Sequence, residues 1–144
     1  ASARQAGKRR VLIVDDEDGM RELLKTILES DYHVSEADSG AALHCALQSE
    51  QPHVVLLDMK LPDANGLGLL PAIKQKWPAT EVIILTGTPS GDGAASLAAE
   101  VVSRGAYCLL SKSAGFDFQK LLEGVSLAAA RCQQAQIDQR PDRQ

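Results

Sequence analysis

The side chains with the most chemical potential in this sequence are Asp15 and Asp16, Asp58, Thr86 and Lys112. Each follows a short apolar run: VLIV at 11–14, VVLL at 54–57, VIIL at 82–85 and YCLL at 107–110. If those runs are parallel strands, their ends bring all five residues to one edge of a sheet. Three carboxylates gathered there repel by about 4 kcal/mol per pair at ~4 Å and an effective dielectric near 20, so folding alone does not favour the cluster. A divalent cation relieves the strain. Hard oxygen donors without a neighbouring His or Cys suit Mg²⁺, which takes few carboxylates, several waters and the oxygens of a phosphate. Lys112 adds a positive charge and Thr86 a hydroxyl. Taken singly, an acid after a strand is explained as readily by a helix cap or a turn; the joint pattern is not.

The elements that must position these groups follow from periodicity. The four runs are apolar on both faces, as buried parallel strands are, and a fifth segment, Tyr32 to Glu36, mixes polar and apolar positions like an edge strand. Between them lie helical patterns. Met20, Leu23, Leu24, Ile27 and Leu28 share one helix spacing, with Asp18 as the expected N-cap. A second helix follows Ser39 and turns Leu43, Ala46 and Leu47 inward. A third follows Asn65-Gly66 with Leu67, Leu70, Ile73 and Trp77, and requires Pro71 to lie near its first turn or kink it. A fourth spans Ala94 to Arg104 and stops at Gly105; a fifth begins near Phe116 and turns Leu121, Leu122 and Val125 inward. The order is (βα)5, an α/β doubly wound sandwich with a parallel five-stranded sheet, in which ligands bind beyond the carboxyl ends of the strands.

Composition narrows the class. The 144 residues suffice for one domain, and 44% hydrophobic with 24% charged residues are globular values. No apolar run approaches the roughly 18 residues a membrane span needs, so no membrane partner is expected. The net charge of −4 leaves Lys8-Arg9-Arg10 as a solvated charged stretch and a poor nucleic-acid footprint. Cys45, Cys108 and Cys132 are odd in number and form no CxxC pair, which predicts reduced thiols and a cytoplasmic protein. His33, His44 and His53 share no ligand spacing, and Trp77 reads as packing. Residues 1–9 read as a flexible leader, 10–133 as the domain, and 134–144 as a tail or a linker to an output domain absent from this chain.

With VLIVDDE at 11–17, VVLLDMKLPDANGL at 54–67, VIILTG at 82–87 and GAYCLLSK at 105–112, the chain resembles the receiver domain of two-component response regulators, the CheY-like superfamily, over about residues 9–130. The resemblance implies a flavodoxin-like fold with strand order 2-1-3-4-5. It implies Asp58 as phosphoacceptor, and Mg²⁺ held by Asp16, the Asp58 carboxylate and the main-chain carbonyl of Lys60, with Asp15 acting through a metal-bound water. Lys112 then pairs with Asp58 and later with a phosphoryl oxygen. Thr86 turns in to bond that group, and Tyr107 follows from outside to inside as the second switch residue. The implied partner is a sensor histidine kinase. The implied readout and homodimer face is the fourth helix, fifth strand and fifth helix. On this reading the chain is a signalling switch, not an enzyme beyond its own phosphorylation and dephosphorylation. It controls transcription, and reaches DNA, only through an output module.

The chain departs from the family pattern in two places. Ser113 stands where receivers carry a cis proline, and a cis Lys112–Ser113 bond is the expectation here despite a cost of about 3 kcal/mol. From Thr86 to Lys112 the chain is about four residues longer than common, with loop-like TPSGDG at 88–93, a segment expected to be mobile without phosphate. By resemblance Lys60 and Thr88 flank the phosphoryl site and are placed to tune phosphate lifetime. A haloacid-dehalogenase-like phosphatase is disfavoured, because it needs a second acid where Lys60 stands and a DxD where Asp15-Asp16-Glu17 stands. A degenerate receiver, used unphosphorylated as an interaction module, is the alternative.

Overall fold

Alternate residues of each strand face opposite sides of a sheet, and in this chain both sides are apolar, so both must be covered. A computed structural model, describing residues 8–87, 94–112 and 117–138, meets that demand with five strands and five helices. The strands are β1 (Arg9–Val14), β2 (Tyr32–Ala37), β3 (Val54–Asp58), β4 (Glu81–Thr86) and β5 (Cys108–Ser111). The helices are α1 (Asp18–Leu28), α2 (Gly40–Glu50), α3 (Gly66–Lys76), α4 (Ala94–Ser103) and α5 (Phe118–Asp138). All neighbouring strands are parallel, in the order β2-β1-β3-β4-β5, which is the expected doubly wound fold.

Two cores result. On one face Leu12, Val14, Val55, Leu57, Val82 and Ile84 pack under α2, α3 and α4, with Leu43, Leu47, Leu70, Ile73 and Val101. On the other, Val11, Ile13, Val54, Leu56, Ile83 and Leu85 pack under α1 and α5, with Leu24, Leu28, Leu121 and Val125. Burying a Leu or Ile is worth about 1.5–3 kcal/mol against exposure. Most of the driving force therefore lies in the strands β1, β3 and β4, whose last four residues or more are fully buried. β2 is the wetter edge strand that its mixed sequence predicts.

The expected caps hold at α2 and α3: Ser39 accepts the Ala42 N–H at 3.1 Å and Asn65 the Leu67 N–H at 2.8 Å. Gly105 after α4 has φ +112°, a left-handed conformation that suits glycine. Three details differ from expectation. Glu17, not Asp18, is the N-cap of α1, without a side-chain cap bond; Asp18 is the first helical residue and pairs with Arg21, and an acid favours the first turn of a helix without capping it. Leu23 is 41% exposed, because the buried stripe of α1 runs through Leu24 and Leu28 and leaves it outside. Pro71 sits in the second turn of α3, which continues to Lys76. In addition, α5 runs on to Asp138, beyond residue 133, and is tied back where Gln133 accepts a hydrogen bond from Arg9 Nε at 3.0 Å. Among the described residues no helix is long and apolar enough to cross a membrane.

Candidate functional site

Strand register delivers the chemistry to one edge. Val14 pairs with Leu57, Asp58 with Leu85, and Thr86 with Ser111, so the chain leaves β1, β3, β4 and β5 at nearly one level. Asp15 extends the pairing of β1, its N–H bonding to the Ala37 carbonyl at 3.1 Å. Its own carbonyl accepts from the Arg21 guanidinium at 2.5 Å, and its Oδ1 accepts the Glu17 N–H at 2.9 Å. Asp15 is therefore completely buried and pinned, while Asp16 is exposed.

Asp58, 6% exposed, ends β3. After it the chain doubles back: Gly66 N–H bonds to the Met59 carbonyl at 2.7 Å and Leu61 N–H to the Ala64 carbonyl at 3.0 Å. This bridge, which joins Lys60 and Asn65, is built from residues on either side of Lys60. It therefore consumes neither polar group of the Lys60 main chain, whose N–H donates to Asp58 Oδ1 at 3.3 Å. Gly66 is required where the loop returns, because a Cβ there would lie 2.6 Å from the Asp58 carbonyl oxygen.

Lys112 follows β5, its N–H bonding to the Thr86 carbonyl at 2.7 Å. Its ammonium reaches Asp15 Oδ2 at 2.8 Å, Asp58 Oδ2 at 3.1 Å and Glu17 Oε1 at 3.3 Å. Burial, and then the charge of Asp15, push the Asp58 carboxyl above the usual carboxylate range against the pull of Lys112 and the Lys60 N–H. Burial by itself would lower the Lys112 ammonium, but its bonds to Asp15 and Asp58 outweigh that and the net direction is upward. A cleft of about 580 Å³ opens here, lined by Asp16, Glu17, Asp58, Met59, Lys60, Thr86, Gly87 and Lys112.

Carboxylate oxygens of Asp15, Asp16 and Asp58 come within 4.8 Å of one another, with one ammonium shared between Asp15 and Asp58. An all-oxygen set with residual negative charge and an open side fits Mg²⁺. The geometry thus brings together Asp15, Asp16, Asp58, Lys60, Thr86 and Lys112.

It does not bring Tyr107 to them. Tyr107 N–H bonds to the Val82 carbonyl, at the start of β4, whereas Thr86 ends that strand opposite Ser111. Four residues of strand, about 13 Å, separate the two levels. The Tyr107 ring also packs on the α5 side, with the Arg131 guanidinium 5.7 Å from its centroid. On the Thr86 face of β5 lie Ser111, directly opposite Thr86, and Leu109, which packs against the α2–α3–α4 core. The expected pairing of Thr86 with Tyr107 is thus corrected: nearness in sequence to Lys112 did not convey at which end of β5 the ring lies. Residues 88–93 and the Lys112–Ser113 bond, on which two further expectations rest, lie outside the described residues. Glu17, Arg21 and Asp63 were not singled out from the sequence, since each acts through a contact made only in the fold: Glu17 with Lys112, Arg21 with the Asp15 carbonyl, and Asp63 with the start of α2.

Fold and site define an α/β protein that gathers acids, a lysine and a hydroxyl residue at the carboxyl edge of a doubly wound parallel sheet. The sequence matches the response regulator receiver domain over residues 11–126. It is 34% identical over 132 residues to a protein-glutamate methylesterase/protein-glutamine glutaminase of Agrobacterium fabrum, covering 88% of this chain and 36% of the relative. It is 34% identical over 122 residues to the DNA-binding transcriptional regulator NtrC of Proteus hauseri, covering 84% and 24%. The chain thus spans between a quarter and about a third of the length of these relatives. Similar solved structures include a CheY-like response regulator receiver domain protein from Methanospirillum hungatei (TM-score 0.76, 26% identity, 90% of this chain and 99% of that one). Another is the beryllofluoride-activated NtrC4 receiver domain dimer (TM-score 0.75, 31% identity, 85% and 98%). The chain belongs to the response regulator receiver domain family, the signalling switch of two-component systems.

Proposed function

We propose that this domain accepts a phosphoryl group on Asp58 from the phosphohistidine of a sensor histidine kinase, in a Mg²⁺-dependent reaction, and relays the change through the α4–β5–α5 face. The observation that carries the reading is Asp58 Oδ2 held 3.1 Å from Lys112 Nζ in an open cleft beside two further carboxylates. One oxygen of the ionised Asp58 carboxylate forms the O–P bond while the P–N bond to the kinase imidazole breaks. The imidazole leaves with the bonding pair, and an acyl phosphate remains. Lys112 balances the charge that spreads over the phosphoryl oxygens, and the Thr86 hydroxyl supplies a donor to the modified group. Asp16, Asp58 and the Lys60 carbonyl would hold Mg²⁺, with Asp15 acting through a water; the ion supplies neutralising charge and orients the phosphate.

Downstream, the likeness to a DNA-binding transcriptional regulator supports transcriptional control through a DNA-binding module, and the likeness to a receiver domain dimer supports a homodimer. Incubation with acetyl phosphate, with Mg²⁺ or with EDTA, followed by intact mass, tests the reaction. One phosphoryl adduct that requires Mg²⁺ is expected; none under either condition refutes the reading and leaves a receiver used only for binding.

A further inference from the structure

The loop between β3 and α3 is held from two sides. Asn65 caps α3 locally, whereas Asp63 reaches a different helix: its Oδ1 accepts the Gly40 N–H at 2.8 Å and its Oδ2 the Ala41 N–H at 3.1 Å. These amides begin α2 and have no carbonyl partner within it; the next one, of Ala42, is taken by Ser39. The approach is tight. A Cβ on Gly40 would lie 3.2 Å from Ala64 Cβ and 3.3 Å from Asp63 Oδ1, so a side chain there would press the loop away from the helix. The two N–H donors hold the Asp63 carboxyl below its usual range, as a charge-assisted tether should.

The tethered segment carries Lys60. Its own bonds are few: the bridge made by Met59 and Leu61 with Gly66 and Ala64, and a long 3.3 Å bond from the Lys60 N–H to Asp58. α2, by contrast, is anchored through fully buried Leu43 and Leu47, so it is a rigid reference to which Asp63 fastens the loop.

We propose that Asp63 is a positioning residue, which by tying this loop to the start of α2 fixes the Lys60 main chain for the divalent cation held by Asp16 and Asp58. The proposal rests on the reading of the site as a Mg²⁺ site. Two variants separate positioning from capping, since Asp63→Ala and Ser39→Ala each remove a cap from α2 and only the first frees the loop.

Mg²⁺ binding by isothermal titration calorimetry on wild type, Asp63→Ala, Asp63→Asn and Ser39→Ala tests it, with folding checked by circular dichroism. Asp63→Ala should bind Mg²⁺ about tenfold more weakly, as loss of an outer-shell support does, and need correspondingly more Mg²⁺ for half-maximal labelling by acetyl phosphate. Asp63→Asn, with one acceptor oxygen left, should fall between, and Ser39→Ala should melt earlier yet keep wild-type Mg²⁺ affinity. Wild-type affinity in a folded Asp63→Ala or Asp63→Asn, or equal weakening in Ser39→Ala, overturns the positioning role and leaves the reading of the site intact. Absence of Mg²⁺ binding by wild type overturns that reading, and this inference with it.

Discussion

Lys112 Nζ lies nearer to Asp15 Oδ2, at 2.8 Å, than to Asp58 Oδ2, at 3.1 Å. The completely buried acid holds the lysine, and the acid at the cleft shares it. Asp58 is thereby left partly uncompensated, which is why its carboxyl is pushed upward by burial and by Asp15.

A carboxyl raised in the folded state opposes folding when ionised at neutral pH. Asp58→Asn should therefore melt above wild type in EDTA, because it removes one of the gathered like charges while Lys112 keeps Asp15. Scanning calorimetry at pH 7 checks this; a lower melting temperature would show that the pair with Lys112 outweighs the repulsion.

Mg²⁺ binds the folded site and should raise the melting temperature in proportion to the logarithm of its concentration. Asp16 is exposed, so Asp16→Asn should leave the stability in EDTA within about 0.5 kcal/mol of wild type and abolish most of the Mg²⁺-dependent rise in melting temperature. An undiminished rise in the variant would remove Asp16 from the cation site.

Two glycines of α3 should respond with opposite sign. In Gly66→Ala the new Cβ meets the Asp58 carbonyl at 2.6 Å, which should cost about 1–3 kcal/mol and slow labelling of Asp58. At Gly68 nothing lies within 4 Å, so Gly68→Ala should gain about 0.5–1 kcal/mol. Urea unfolding of both variants decides, and equal effects would contradict the close packing of the loop.

His53 is buried at the opposite edge of the sheet, its Nδ1 accepting the Arg10 N–H at 3.0 Å. Burial, then Arg10 and Arg9, lower it from 6.5 to about 4. The folded state therefore holds it neutral, and the stability this gives is full above pH 6.5 and is lost as the pH falls toward 4. Relative to His53→Gln, wild type should lose roughly 2 kcal/mol between pH 7.5 and 4.5 in urea titrations. Parallel losses in the two proteins would exclude His53 as the cause.

Most of the fold is legible in the apolar runs, because strands covered on both faces must be apolar at every position, as Val54 to Leu57 and Val82 to Leu85 are. The helix starts at Ser39 and Asn65 and the stop at Gly105 are local chemistry, readable from one or two residues. The acids, Thr86 and Lys112 are legible because parallel strands convert "after a strand" into "at one edge". What depends on contacts between distant segments is not. Asp63 bonding to Gly40, and Glu17 reaching Lys112, join segments far apart in sequence. Tyr107 shows the same limit: its place was set by the register of β5 on β4, which the run of residues 107–110 does not encode.

The central claim is that the phosphoryl group is carried by Asp58, and borohydride trapping tests it most directly. An acyl phosphate is reduced by borohydride to the alcohol, so the acceptor aspartate is converted to homoserine, which tandem mass spectrometry locates. After acetyl phosphate and Mg²⁺, homoserine should appear at position 58 and nowhere else, and should vanish in EDTA. Homoserine at position 15 or 16, or none in a protein that binds Mg²⁺, would contradict the account.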